Sequence, residues 1–274
     1  MSYSLDPTKL YRMPASFGPA PGARNLPPHI VPDHARFPRT TRCSFHFLTD
    51  GNMLSAMLPA GLRLAGEPIA TVYFSTMKGI EWLAGRGYNV LSFSVPATYE
   101  GKRTVTANFK PVLWEGLPDP CITGREELGF NKLWAEIPDP RVSAGRQEYS
   151  ASWLGFVFAE ATFEAVEETA SGPTAAARNG VSGTINHKLI PRSGQRGAFD
   201  ASYLTYWPQF DARNVEKSLA GKGSFRFNKA TWEQLPTMHH VVNRLAELPV
   251  KKMVGCEYVE GSGQGDVSNI EILV

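Results

Sequence analysis

The chain has 274 residues, 28 of them basic and 26 acidic, for a net charge of +2. It holds no basic stripe and no apolar run of membrane-spanning length, which argues against nucleic acid and the bilayer as partners. Cys43, Cys121 and Cys256 are odd in number, scattered and without metal-ligand spacing, so a cytoplasmic protein with packing thiols is expected.

Residues 1–38 hold eight of the 21 prolines and lack the charged-then-apolar order of a signal peptide. They are expected to form an extended arm, anchored over the rest by Tyr11, Phe17, Leu26, Ile30 and Phe37. Residues 39–274 are expected to form one domain. Strands are predicted at Cys43–Leu48, Thr71–Ser75, Val90–Thr98 and Arg103–Leu113, where Thr104 to Lys110 alternates polar and apolar. Lys132–Ile137 follows, ended by Pro138, then Ser150–Phe163, Gly183–Ile190, Phe199–Tyr206, Gly223–Asn228, Val250–Tyr258 and Asn269–Leu273. Helices are few. Met53–Leu58 is capped by Asp50 or Asn52 and stopped by Pro59. A second helix begins near Thr237, with Met238, Val241, Val242, Leu245 and Leu248 at helical spacing before Pro249. The fold class is therefore α+β, mainly β: a closed or two-layered antiparallel β-barrel with a few short helices. The glycine-rich run Gly261–Asp266 lacks a phosphate-cradling lysine and reads as a loop.

The run Gly124-Arg125-Glu126-Glu127-Leu128-Gly129-Phe130-Asn131-Lys132 carries the chemistry. Thr123 and Glu126 have capping-box spacing, and Gly129 can end the turn in the left-handed region. Lys132 then enters an apolar strand, where alternation places Lys132, Trp134 and Glu136 on one face. With Phe130 and Trp134 as walls, the amine is expected to be desolvated. Bringing a lysine from about 10.4 to about 7 costs roughly 4–5 kcal/mol, which burial can supply. A neutral amine attacks ketones and forms a Schiff base. Arg125 and Glu126 are expected to form a buried pair that fixes the turn, with Glu127 solvated or capping it. Arg86 or Arg42 is a candidate clamp for a substrate carboxylate, Tyr88 a donor to a departing oxygen, and Asn89 a further contact. His239 and His240 are adjacent, so on a helix they diverge by about 100° and make a poor ligand pair; no metal site is expected.

Gly-Arg-Glu-x-x-x-aromatic-x-Lys resembles the signature of the acetoacetate decarboxylase superfamily, with Lys132 at the position of the lysine that forms the iminium. That enzyme is also a standard example of a lysine activated by desolvation or a neighbouring cation. Thr49-Asp50 and Leu248 to Val254 resemble the family's first and last junctions. The resemblance implies a barrel fold, no cofactor, a homo-oligomer and a small keto acid as substrate. It also implies a pocket carboxylate, for which Glu81 is the candidate, and places Arg42 near a strand arginine of the family. Leu133 stands where classical decarboxylases carry a second lysine, and Trp82 to Asn89 resembles a segment of longer, aldolase-dehydratase members. Condensation of pyruvate with an aldehyde, followed by dehydration, is therefore expected ahead of decarboxylation of a β-keto acid. A non-catalytic barrel, in which Lys132 stays protonated as counter-ion to a ligand, is the competing expectation.

Overall fold

The computed structural model describes residues 3–168, 181, 183–208, 214–263 and 267–273. In chain order the strands are β1 (Arg39–Leu48), β2 (Leu62–Leu64), β3 (Ile69–Ile80), β4 (Arg86–Glu100), β5 (Thr104–Glu115), β6 (Lys132–Trp134) and β7 (Arg141–Ser143). There follow β8 (Arg146–Trp153), β9 (Phe156–Glu168), β10 (Thr184–Pro191), β11 (Phe199–Trp207), β12 (Asn214–Phe227), β13 (Lys252–Ser262) and β14 (Glu271–Leu273). The helices are α1 (Gly51–Ser55), α2 (Pro118–Thr123) and α3 (His239–Ala246). The mainly-β class with a few short helices is as expected.

Its form differs. All strands join one 14-stranded sheet in the order β14-β11-β10-β5-β4-β3-β1-β13-β12-β9-β8-β7, with β2 on β4 and β6 on β5. The path has two ends, so the sheet does not close. It is also mixed, because β10 and β6 both run parallel to β5. Between β5 and β6 the reason is local: α2 carries the chain back across, and a helical crossover returns a strand parallel to the one it left. Only three residues of Lys132–Ile137 join that ladder. Beyond Trp134 the chain peels away, and Glu136 exchanges backbone hydrogen bonds with Ser152 instead. The predicted Gly223–Asn228 strand is the tail of β12, which pairs with β13 and β9; its lysines and glycines hide the first half from pattern reading. In the glycine-rich run, Gly261 and Ser262 belong to β13, while Gln264–Asp266 lie outside the described residues.

Alternation assigns the two faces of the central strands. Phe45 and Phe47 of β1, Val72 and Phe74 of β3, Leu91 and Phe93 of β4 and Trp114 of β5 form the main core with Val242 and Leu245 of α3. A fully buried side chain of this size contributes about 1.5–3 kcal/mol. Asp50 caps α1, its carboxylate accepting from the N–H groups of Asn52 and Met53 at 2.9 and 3.0 Å. No helix of the described residues is long and apolar enough to cross a membrane.

Residues 3–10 of the arm are exposed, and its contacts with the rest of the protein begin at Arg12. Arg12 donates to Thr123 Oγ1 and pairs with Glu127 at 3.6 Å, and Glu81 Oε1 accepts the Asp33 N–H at 2.6 Å. Leu26 and Phe37 face a cavity. Phe17 is 89% exposed and anchors nothing.

Candidate active site

The other face of the same strands mixes polar and apolar side chains, and three rows across it make the floor of a cavity of about 140 Å³. In that measure there is room for on the order of ten waters, enough for a small metabolite and too little for a polymer. One row runs Thr40, Met77, Tyr88. The next runs Arg42, Ser75, Val90, Glu115. The third runs Tyr73, Ser92, Leu113, Lys132. Every member except Ser92 borders the cavity. Residues two apart on a strand share a face, so this floor follows directly from the register.

Lys132 begins β6, and the segment before it aims the side chain. Pro118 and Pro120 open α2, where a missing N–H is no loss. The helix runs on through a π turn, Gly124–Leu128, and Gly129 ends it at φ 82°. The glycine is required there: the conformation is left-handed, and a Cβ would also lie 2.8 Å from that of Lys188. The capping box is corrected. Because the helix starts at Pro118, Thr123 sits inside it with helical dihedrals and no capping bond, and its hydroxyl accepts from Arg12 instead. The buried Arg125–Glu126 pair is likewise corrected. Arg125 is exposed and donates to the Lys132 carbonyl at 2.9 Å, fixing the lysine's backbone. Glu127 is neither solvated nor a cap; burial pushes its carboxyl up, against the pull of Arg12.

The Lys132 amine is buried. Its Nζ lies 2.7 Å from Glu115 Oε1, donates to the Pro120 carbonyl at 3.1 Å and stands 5.2 Å from the Phe130 ring centre. Glu115 is 2% exposed, and its second oxygen has no hydrogen-bond partner among the described residues. Burial pushes its carboxyl above the usual range, while the charge of Lys132 pulls it back. Burial, followed by the charge of Glu115, holds the Tyr88 phenol well above its ordinary value. The nearby Cys121 thiol is pushed up to about 12 by burial; with its Sγ 3.3 Å from the Leu133 carbonyl, it is a packing group.

The structure brings Lys132, Phe130, Tyr88, Arg42 and Glu81 to this cavity and leaves out Arg86, Asn89 and Trp134. Arg86 is exposed and donates to the Leu83 carbonyl at 3.3 Å. Asn89 is buried elsewhere, its amide donating to Ile137 O and to Asp139 Oδ1 at 3.0 and 2.8 Å. Trp134 lies where β6 leaves the ladder, past the cavity's end. Glu81 reaches the cavity rim, but its Oε1 holds the arm. The acid beside the amine is Glu115. Sequence reading misses it because its lysine is distant in sequence and only the parallel β5–β6 register joins them. The signal available was a lone glutamate closing a strand otherwise apolar from Pro111 to Trp114.

Gly124 was also overlooked as a site residue. A Cβ there would overlap Cδ, Cε and Nζ of Lys132. Gly124→Ala is therefore expected to displace the amine and slow adduct formation at Lys132 by about 100-fold, since a 1 Å misplacement costs that much. The rate of trapping gives the effect, and an unchanged circular dichroism spectrum shows that the fold is kept.

The model of the family Acetoacetate decarboxylase (ADC) matches residues 12–271. The chain belongs to the acetoacetate decarboxylase family. No curated protein matches it. Among solved structures this family member resembles an acetoacetate decarboxylase from Legionella pneumophila subsp. pneumophila str. Philadelphia 1, at 19% identity and a TM-score of 0.63, over 87% of this chain and 86% of that one. It also resembles an acetoacetate decarboxylase-like enzyme from Sphingomonas wittichii RW1, at 18% identity and 0.65, over 90% and 99%. A third likeness is to the enduracididine biosynthesis enzyme MppR complexed with pyruvate, at 17% identity and 0.66, over 90% and 92%. MppR has also been solved with the condensation product of pyruvate and imidazole 4-carboxaldehyde. At these identities the shared property is the fold.

Proposed function

We propose that this protein is a Schiff-base lyase that condenses pyruvate, or a close keto acid, with an aldehyde and then expels water. The observation that carries the proposal is the buried Lys132–Glu115 pair at 2.7 Å on the floor of a metabolite-sized cavity. Glu115 takes a proton from the Lys132 ammonium, and the freed amine adds to the keto carbon. Glu115 then returns the proton to the carbinolamine hydroxyl, which leaves as water, and the iminium forms. Loss of a methyl proton gives an enamine, whose carbon attacks the aldehyde carbon while the aldehyde oxygen gains a proton. Loss of a second proton from the same carbon re-forms the enamine, whose electrons expel that oxygen, protonated, as water, and hydrolysis at Lys132 releases an unsaturated keto acid.

Arg42, from the far end of Glu115's own row, holds the substrate carboxylate in this scheme, and Phe130 keeps water from the amine; both border the cavity, which supports these roles. Tyr88, a neutral donor, serves the departing hydroxyl. Leu133 in place of a second lysine favours condensation over decarboxylation, and the pyruvate complexes of MppR support the substrate class. A homo-oligomer, and the division into an arm over 1–38 and one domain over 39–274, are part of the same proposal.

The test is borohydride trapping with pyruvate and, separately, acetoacetate, followed by intact mass and peptide mapping. An adduct on Lys132 with pyruvate is expected. A better adduct with acetoacetate would move the reaction to decarboxylation, and none with either keto acid would leave a protein that only binds.

A further inference from the structure

Beside Tyr73, and not itself bordering the cavity, stands a second buried lysine that the scheme above does not use. Lys110, on β5, is 2% exposed. Its Nζ donates to the Tyr73 hydroxyl at 2.5 Å and lies 4.7 Å from the centre of that ring. The Arg42 guanidinium lies 4.8 Å from the same ring. Tyr73 borders the cavity and shares the row of Lys132, with Ser92 and Leu113 between them. Tyr88 lies close enough to feel both Glu115 and Tyr73. The phenols thus continue from Glu115 toward the side of the cavity away from the amine.

The charge of Lys110 reaches the Glu115 carboxylate, and its short hydrogen bond to the Tyr73 hydroxyl favours phenolate over phenol there. A charge-assisted bond from Lys110 would hold that phenolate, and a guanidinium near the ring adds a second positive charge. Glu115, bonded to the Lys132 amine, serves protons on nitrogen and oxygen at one end. A different base is needed for the proton on carbon, which projects from the iminium into the cavity.

We propose, resting on the Schiff-base function above, that Tyr73 is the catalytic base for the carbon acid, with Lys110 as its positioning residue. The Tyr73 phenolate takes a proton from the methyl carbon of the pyruvate iminium. The C–H electron pair becomes the enamine double bond, and the C=N pair returns to the Lys132 nitrogen. Tyr73, now neutral, stays bonded to Lys110 and can return its proton to carbon in the reverse direction. No further reactant is needed.

The experiment separates iminium formation from carbon deprotonation. Borohydride trapping of pyruvate reads the first, and loss of the pyruvate methyl signal by proton NMR in deuterium oxide reads the second. Tyr73→Phe is expected to trap pyruvate on Lys132 yet exchange methyl protons about 100-fold more slowly, the usual loss for one acid–base group. Lys110→Met is expected to slow exchange similarly, and Lys110→Arg to restore most of it, which a role in packing alone would not produce. If Tyr73→Phe does not fold, the two Lys110 variants carry the same comparison. A wild type that traps without exchanging, or a Tyr73→Phe that exchanges at the wild-type rate, overturns the inference alone. A wild type that does not trap pyruvate overturns the Schiff-base function, and this inference with it.

Discussion

Lys132→Met is expected to abolish the borohydride adduct and lower turnover by roughly 10⁵-fold, the scale of losing a covalent nucleophile. Mass spectrometry of the trapped protein and single-turnover kinetics check it. The same substitution has a consequence for folding. Glu115, buried with Lys132 as its ion-pair partner, would lose the charge that chiefly opposes burial and keep only the weaker pulls of Cys121 and Lys110, so its carboxyl stays above the ordinary range. A raised native value means that the folded state keeps a proton that the unfolded state gives up. Stability is then full below the unfolded carboxyl value of about 4.3 and falls as pH rises through the window up to the native value. Breaking a buried pair costs about 3–5 kcal/mol, so the loss should approach that size near neutrality. Denaturant unfolding of Lys132→Met at pH 4 and pH 8 is expected to show a larger drop than wild type. Adding Glu115→Gln to Lys132→Met should remove the extra drop. A double variant that keeps it would show that another group is responsible.

Glu115→Gln alone is expected to slow trapping at Lys132 by about 10³-fold, within the range for losing a general acid–base group. Glutamine keeps the volume and an oxygen for the amine, so packing beside Lys132 is preserved. What disappears is the base that accepts the ammonium proton and returns it to the carbinolamine. The rate should therefore fall while the final adduct mass on Lys132 is unchanged. A purely structural Glu115 would instead lower thermal stability and leave the trapping rate of the folded fraction near wild type.

The burial of Lys132 was legible because its signals are local: a glycine that ends a turn, an aromatic two residues before the lysine, and an apolar strand start. The floor of the site was less so. Glu115, Tyr73 and Lys110 are brought to Lys132 by strand register, and register joins residues that no linear spacing relates. Arg86 and Asn89 failed for the complementary reason. They belong to an attractive local cluster, but Arg86 begins β4 out in solvent, while Asn89 alternates onto the face away from Tyr88 and Val90. The strand content was readable from alternation. Whether the sheet closes was not, because that depends on how its two ends meet rather than on any one strand.

The cavity's outer wall is built differently from its floor. Leu26, Pro32, His34 and Phe37 of the arm border it, and none of them belongs to the hydrophobic core clusters. Replacing them reshapes the entrance without unpacking the core, whereas changes to the floor disturb strands that carry the core on their reverse side. The choice of guest and the chemistry performed on it are therefore separable. The arm is the place to engineer a different guest while leaving the lysine and its glutamate untouched.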